Sequence, residues 1–212
     1  MKEPLTRLDG RGRRLVWLAV LAWVLCCASG PPWLGGPGCP VVPVSSMDLS
    51  ASTRLRARVR IGVGDRELGL EVIVRKRPEE LVVVGLVPHG ARLFAVRQRG
   101  RDIEIDSASS REMEHLALWV LDVLHRGLWI EPAAGSRRED GASWSWEGEQ
   151  VLELRRDGRW RREFRRAGDA TDVAPVAIDY RDPPPRGAGS GFEIRNAWCG
   201  YEGVFIPLDE AD

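Results

Sequence analysis

One stretch, Ser109 to Trp129 (SSREMEHLALWVLDVLHRGLW), is the only convincing helical pattern between residue 40 and the carboxyl terminus. A chain whose remaining patterned segments alternate with a period of two must build its core from strands around that single cylinder. Ser109 and Glu112 stand at capping-box spacing. Met113, Leu116, Val120 and Leu124 recur at steps of three and four with Leu121 beside them, while Arg111, Glu114 and Asp122 lie largely off this stripe. Ala117, Leu118, Trp119 and Val123 widen the apolar arc beyond what a one-sided surface helix requires. The helix is therefore expected to be sandwiched or to close a hollow, with Gly127 ending it.

Before the helix, Leu55, Ala57, Val59 and Ile61 interleave with Arg54, Arg56, Arg58 and Arg60. A turn at Gly64-Asp65 sets Leu55 against Val74, Ala57 against Val72, Val59 against Leu70 and Ile61 against Leu68. The same register opposes Arg58 to Glu71, so the arginine row reads as a solvated face with acidic neighbours rather than a phosphate strip. Leu81 to Val84 is continuously apolar and reads as a strand covered on both faces. Pro88, His89 and Gly90 form the next turn, and a turn at Arg99-Gly100 opposes Val96 to Ile103 and Phe94 to Ile105.

After the helix, a polar linker from Pro132 to Gly141 leads to Ser143–Glu153, where alternation puts Trp144 and Trp146 on one face, read as core with a membrane surface as the alternative. Leu152 and Leu154 precede a hairpin signal at Asp157-Gly158, beyond which Trp160, Arg162 and Phe164 share a face. Neither simple register about that turn matches all the apolar residues. Val173 to Tyr180 is another strand, Asp182 to Gly191 a Pro/Gly-rich loop, and Gly191 to Leu208 a final hairpin around Trp198 to Gly203. The fold class is mainly β (α+β): a curved antiparallel half-barrel of about ten strands with one central helix as lid.

At 212 residues, 43% hydrophobic and 29% charged, the chain has room for one sizeable core. Basic and acidic residues balance at 31 each, which gives no global field for nucleic acid. Residues 1–39 read as a signal peptide and lipoprotein-processing region: Lys2, Arg7, Arg11, Arg13 and Arg14 precede an apolar run from Leu15 to Cys27 that is too short to span a bilayer. Small residues lead into Cys39 in LGGPGCP, making it the preferred lipid-attachment site, with Cys27 as the alternative. Residues 40–212 are then one domain. If Cys39 is not lipidated it can pair with Cys199; otherwise Cys199 is a lone, small buried residue.

Catalytic constellations are sparse. His115 and His125 are about 80° apart around the helix and about 15 Å apart along it, too far to share a metal. No G-x-S-x-G, H-E-x-x-H or phosphate loop occurs, and Asp179 and Asp182 flank Tyr180 as solvated loop acids. No catalytic residue, metal or cofactor is assigned.

PHGARLF at Pro88 to Phe94, the apolar helix carrying Asp122 and followed by Trp129, and NAWCGYEGVF with Asn196, Gly200 and Tyr201 resemble an uncharacterised Gram-negative outer-membrane lipoprotein family found beside aryl polyene biosynthesis genes. That family is similar in strand order to the lipoprotein carriers LolA and LolB, in which a curved, incomplete barrel is closed by helices over an apolar cavity. The resemblance implies a cavity around Leu116, Val120 and Leu124, facing Phe94, Val96 and Trp144. It implies a monomer anchored by lipid on the periplasmic face of the outer membrane, or free in the periplasm if not lipidated, that takes an acyl-bearing ligand, a lipoprotein or a polyene lipid. A non-enzymatic assembly accessory with a filled core is the competing expectation.

Overall fold

The computed structural model describes residues 44–49, 54–107, 111–132, 140–169, 174–181 and 190–208. The proposed signal region with Cys27 and Cys39, the Ser109 cap, most of the polar linker and the loop 182–189 lie outside them. All described residues fall within one compact unit.

Alternation of arginine with aliphatic residues resolves into strand β1 (Arg54–Val63), whose exposed and buried positions alternate from Arg54 to Ile61. It pairs with β2 (Arg66–Lys76) in the register read from the sequence, including Ile61 opposite Leu68 and Arg58 opposite Glu71. Strands β3 (Glu80–Leu86), β4 (Arg92–Arg99) and β5 (Asp102–Ser107) extend this meander outward. β3 is not doubly covered as expected. Leu81 and Val83 are buried on the inner face, while Val82 and Val84 are half-buried on the outer one, where Ile73 and Ala95 flank Val84 from neighbouring strands.

The β4–β5 register also differs from expectation. Val96 opposes Ile105, Phe94 opposes Ser107 and Gln98 opposes Ile103. Gly100, at φ +57°, takes the first central position of the turn, where a left-handed backbone suits glycine. Moving a two-residue turn along by one shifts every pair by two and leaves the faces unchanged. The turn is pinned from outside: Ser46 donates its N–H to the Gly100 carbonyl at 2.8 Å and accepts the Gly100 N–H on Oγ at 2.7 Å.

Helix α1 (Arg111–Leu124) runs directly into a π-helical turn, His125–Trp129. Six strands follow: β6 (Gly141–Trp146), β7 (Glu149–Arg156), β8 (Arg159–Arg166), β9 (Val176–Tyr180), β10 (Phe192–Asn196) and β11 (Tyr201–Leu208). Together the strands form one antiparallel sheet of eleven in the order β5-β4-β3-β2-β1-β11-β10-β9-β8-β7-β6. The sheet is open, and its two edges, β5 and β6, are the strands that the helical segment connects. α1 rests against β4 and β5, yet Asp122 reaches Asn196 and Tyr201, and Arg126 reaches Glu149. One helix can touch β4, β7, β10 and β11 only if the sheet coils around it. An ion pair between Arg101, just before β5, and Glu147, just after β6, links turns beside the two edges.

The helical segment lies deep in this sheet: between Leu116 and Leu128 only Leu118 is not fully buried. Gly127 does not end the helix, as the sequence reading had it, but sits inside the π turn. A Cβ there would fall 2.2 Å from the Phe192 ring, so the residue is small because a strand side chain presses on it. Gly127→Ala is expected to lower stability by about 1–3 kcal/mol in urea titrations. Gly69→Ala, on an exposed strand position with open space around it, should stay within about 0.5 kcal/mol of the parent.

Candidate functional site

Two different surfaces face the helix. The wall built by β1 to β4 is aliphatic: Leu55, Ala57, Val59, Leu70, Val72, Val74, Leu81 and Val83 are buried there with Phe94 and Val96. Polar side chains on it, Lys76 and Gln98, donate to backbone carbonyls at one end; Gln98 Nε2 donates to Val44 at 2.6 Å and to Gly100 at 2.9 Å, while its Oε1 has no partner among the described residues. Five of the six residues expected around a cavity, Phe94, Val96, Leu116, Val120 and Leu124, are buried in one apolar cluster, and the sixth, Trp144, packs partly buried against it. Four hollows bounded by described residues open elsewhere, and none of the four is lined by these six side chains.

The wall built by β6 to β11 is polar and aromatic, and the reason begins in the β7–β8 hairpin. Asp157 and Gly158 both have left-handed φ, 51° and 79°, which makes a two-residue turn matched to strand twist. The register that results sets Val151 opposite Phe164, Glu153 opposite Arg162, and Leu152 opposite Glu163. Glu149, Val151 and Glu153 therefore face inward and are buried, while Leu152 points out, 37% exposed. Trp160, Arg162 and Phe164 share a face, as the alternation indicated, and Arg162 is buried on it.

At the centre of this wall stands Asp122. Its sequence position placed it off the apolar stripe, but it is 1% exposed, because the stripe's polar flank faces β10 and β11 rather than water. Oδ1 accepts Arg126 Nε at 2.9 Å. Oδ2 accepts Tyr201 Oη at 2.9 Å and Asn196 Nδ2 at 3.3 Å. Arg126, 0% exposed, also grips Glu149 through both terminal nitrogens, at 2.7 and 3.2 Å, the bidentate geometry that suits a guanidinium. Its plane lies over Phe164, Trp198 and Trp146 at 4.6, 5.5 and 5.8 Å, so apolar faces as well as carboxylates cover the cation.

A second pair completes the arrangement. Arg162 donates to Glu153 Oε2 at 2.8 and 3.1 Å, and lies 5.5 Å from the Trp144 and Tyr180 rings. The π turn, whose hydrogen bond runs from Ile130 back to the His125 carbonyl, leaves neighbouring carbonyls in need of donors. Arg162 meets the Arg126 carbonyl at 2.9 Å, and Tyr180 Oη meets that of Gly127 at 3.0 Å. The helix end is thus tied to β7, β8, β9, β10 and β11 by polar bonds, whereas its contact with the β1–β4 wall is apolar.

Burial pushes the Asp122 carboxyl upward, against the pull of Arg126 and Tyr201. Burial also opposes the Arg126 charge, but Asp122 and Glu149 more than offset it and hold the guanidinium protonated. Tyr201 is raised well above the phenol range by burial and by the Asp122 charge, so it serves as a donor. His125 is pushed down to about 3 by burial and then by Arg126. Its neutral Nδ1 accepts the Val44 N–H at 3.0 Å, which assigns the proton to Nε2, an atom with no hydrogen-bond partner among the described residues. The ring packs edge-on against Trp129 at 5.6 Å.

Asp122, Asn196 and Tyr201, three of the residues that carried the family resemblance, meet at one carboxylate. Arg126, Glu149, Glu153 and Arg162 were not singled out as a set. Their signal was present as opposite charges in step with Val151 and Phe164 on adjacent strands, where a buried face should have been apolar. Among the described residues no group of three His, Cys, Asp or Glu side chains could hold a metal ion. Cys199 is not a lone thiol: it is buried and disulfide-bonded, and its partner lies outside the described residues, where all the other cysteines, Cys39 among them, fall.

Removing one member of a buried pair leaves a charge in low dielectric. Arg126→Leu, which strands Asp122 and leaves Glu149 only its 3.5 Å contact with Arg166, should cost about 3–5 kcal/mol in denaturant titrations, against about 1 kcal/mol or less for Arg56→Leu in the exposed Arg56–Glu71 pair. For His125 the unfolded chain takes a proton near 6.5 and the folded one only near 3. Stability from this group is therefore complete above 6.5 and is lost as pH falls toward 3, approaching about 1.4 kcal/mol per pH unit. Replacing it by Asn, whose side-chain oxygen can still accept the Val44 N–H, should flatten the stability–pH curve in that window by one proton.

A model of a protein family, described as a protein of unknown function (DUF3261), matches residues 54–203. The match runs from the start of β1 into β11 and includes every member of the buried network. No curated protein sequence matches the chain.

Proposed function

The chain belongs to the DUF3261 family of proteins of unknown function, and from its own architecture we propose that it is an exported carrier that holds or hands on an acyl-bearing molecule, a lipid or a lipoprotein. The observation that supports this reading is the asymmetry of the interior. The sheet is open, and polar bonds clamp the end of the helical segment to one half of it. Leu116, Ala117 and Val120 meet a wall of Val, Leu, Ala and Phe on the other side, where contact is purely dispersive. Dispersion contacts have no direction, so an alkyl chain can replace the helix there without leaving a polar group unpaired. Each CH₂ taken from water contributes about 0.8 kcal/mol.

Export is supported by the basic and apolar amino-terminal pattern and by the disulfide at Cys199, a bond that persists in oxidising compartments. In this reading the protein is lipid-anchored on the periplasmic face of the outer membrane through Cys39, or through Cys27 if Cys39 is the disulfide partner. One cysteine cannot do both. The likeness to LolA and LolB belongs to the same proposal.

A second reading, a structural accessory with a solid core, draws on the other half of the interior. There Trp144, Phe164, Arg126 and Arg162 pack against one another.

Native mass spectrometry of the protein gently extracted from its membrane, with a fluorescent fatty acid titration, separates the two. The carrier should arrive with a lipid mass bound, release it to the fatty acid, and lose at least about tenfold in affinity with Leu116→Trp at the rim of the aliphatic wall. Absence of co-purifying lipid together with no fatty acid binding would leave the accessory reading standing.

A further inference from the structure

The inward turn of Glu149 and Glu153 has an outward counterpart. On the outer face of β6, β7 and β8 the rows set by the register read Ser145, Gln150, Arg165; then Ser143, Leu152, Glu163; then Gly141, Leu154, Arg161; then Arg156 opposite Arg159 at the tip. Leu152 is 37% exposed and Leu154 half-buried. The only acid in these rows, Glu163, is itself buried and held by two of the arginines, Arg161 at 2.9 Å and Arg165 at 3.2 Å. Arg161 also meets Asp179 of β9 at 3.2 Å. Arg156 and Arg159 are exposed and directly opposed, an arrangement that costs stability unless an anion lies near. Their acidic neighbour at the turn, Asp157, comes no closer than 4.0 Å to Arg156, and among the described residues Arg159 has no acidic partner. A hollow of about 720 Å³ is lined there by Arg156, Arg159, Arg161 and Arg195 together with the acids Asp157, Glu163 and Asp179, of which Glu163 and Asp179 are already engaged by Arg161.

From this juxtaposition of outward leucines with arginines at a hairpin tip, we infer that the outer face of β6–β8 docks on a bilayer surface carrying anionic phospholipids. Guanidinium groups take lipid phosphates bidentately, and the aliphatic pair enters the headgroup boundary beside them. Charge complementarity selects the occupant: an acidic surface compensates Arg159, which has no acidic partner among the described residues, and Arg156, whose one ion pair, with the exposed Asp157, is stretched to 4.0 Å. The inference does not require the interior to hold an acyl chain.

Co-sedimentation of the full chain tests it, using vesicles of phosphatidylcholine alone and vesicles with about 30% phosphatidylglycerol, near 0.05 M and near 0.3 M salt. Binding to the anionic vesicles should exceed binding to the neutral ones and should fall with salt. The double variant R156E/R159E should lose roughly 30-fold or more on anionic vesicles, from about fivefold per arginine at the surface, with binding to neutral vesicles unchanged. Leu152→Ser should weaken the anionic binding further. Thermal melts of each variant, on exposed positions, confirm that the fold is retained, and fatty acid binding kept by R156E/R159E separates this face from the interior. Equal binding to both vesicle types, or full anionic binding by R156E/R159E, overturns the inference. So does a wild-type dimer that Leu152→Ser makes monomeric while vesicle binding stays intact, since the face would then join two copies of this chain.

Discussion

A single guanidinium, that of Arg126, decides how the helical segment sits in the sheet. It is wholly buried and tied to Asp122 on its own helix and to Glu149 on β7, and three aromatic rings cover its faces. Through Asp122 the same contact continues to Asn196 on β10 and Tyr201 on β11. Such a cluster adds little net stability over an apolar filling, because taking the charges out of water offsets most of what their attraction returns. What it supplies is position. Each polar group is satisfied in one arrangement, and a slide of the helix by one turn would strand at least one charge in the interior. The π turn belongs to the same arrangement, since the carbonyls it leaves open are met by Arg162 and Tyr180.

This clamp makes the interior two-sided. Between the helix and β7–β11 the contacts are directional and break only at the cost of unpaired charge. Between the helix and β1–β4 they are aliphatic and carry no such directional constraint. The sheet is open, and its edges β5 and β6 are joined by the helical connection itself. The carrier reading draws on that division. The outer face of β6–β8 draws on it too, because the glutamates consumed inside are the ones an alternating strand would otherwise have set among its outward arginines.

Much of the architecture was legible from residue order. The β1–β2 register followed from matching Leu55, Ala57, Val59 and Ile61 to partners two residues apart, because an aliphatic face on both strands leaves one solution. The helix Arg111–Leu124, the hairpin at Asp157-Gly158 and the shared face of Trp160, Arg162 and Phe164 were equally readable. The β4–β5 register was not. Arg99-Gly100 and Gly100-Arg101 are equally acceptable as turn sequences, and the choice was made by Ser46, which bonds Gly100 from more than fifty residues away. Gly127 misled for a related reason: a glycine near a helix end reads as a terminator, and only the Phe192 ring shows that it is a point of close approach.

The sequence by itself determined the elements and the sheet-forming meanders, since periodicity and turn chemistry act between near neighbours. It also contained the asymmetry in disguise, as acids in step with Val151 and an arginine in step with Phe164. Only the tertiary structure decided that these charges face inward and meet Asp122 and Arg126. Binary patterning assumes that burial and apolarity coincide. Here a buried cation and its carboxylates neutralise one another across strands and helix, and a pairing between such distant residues exists only once the open sheet has curved around the helix.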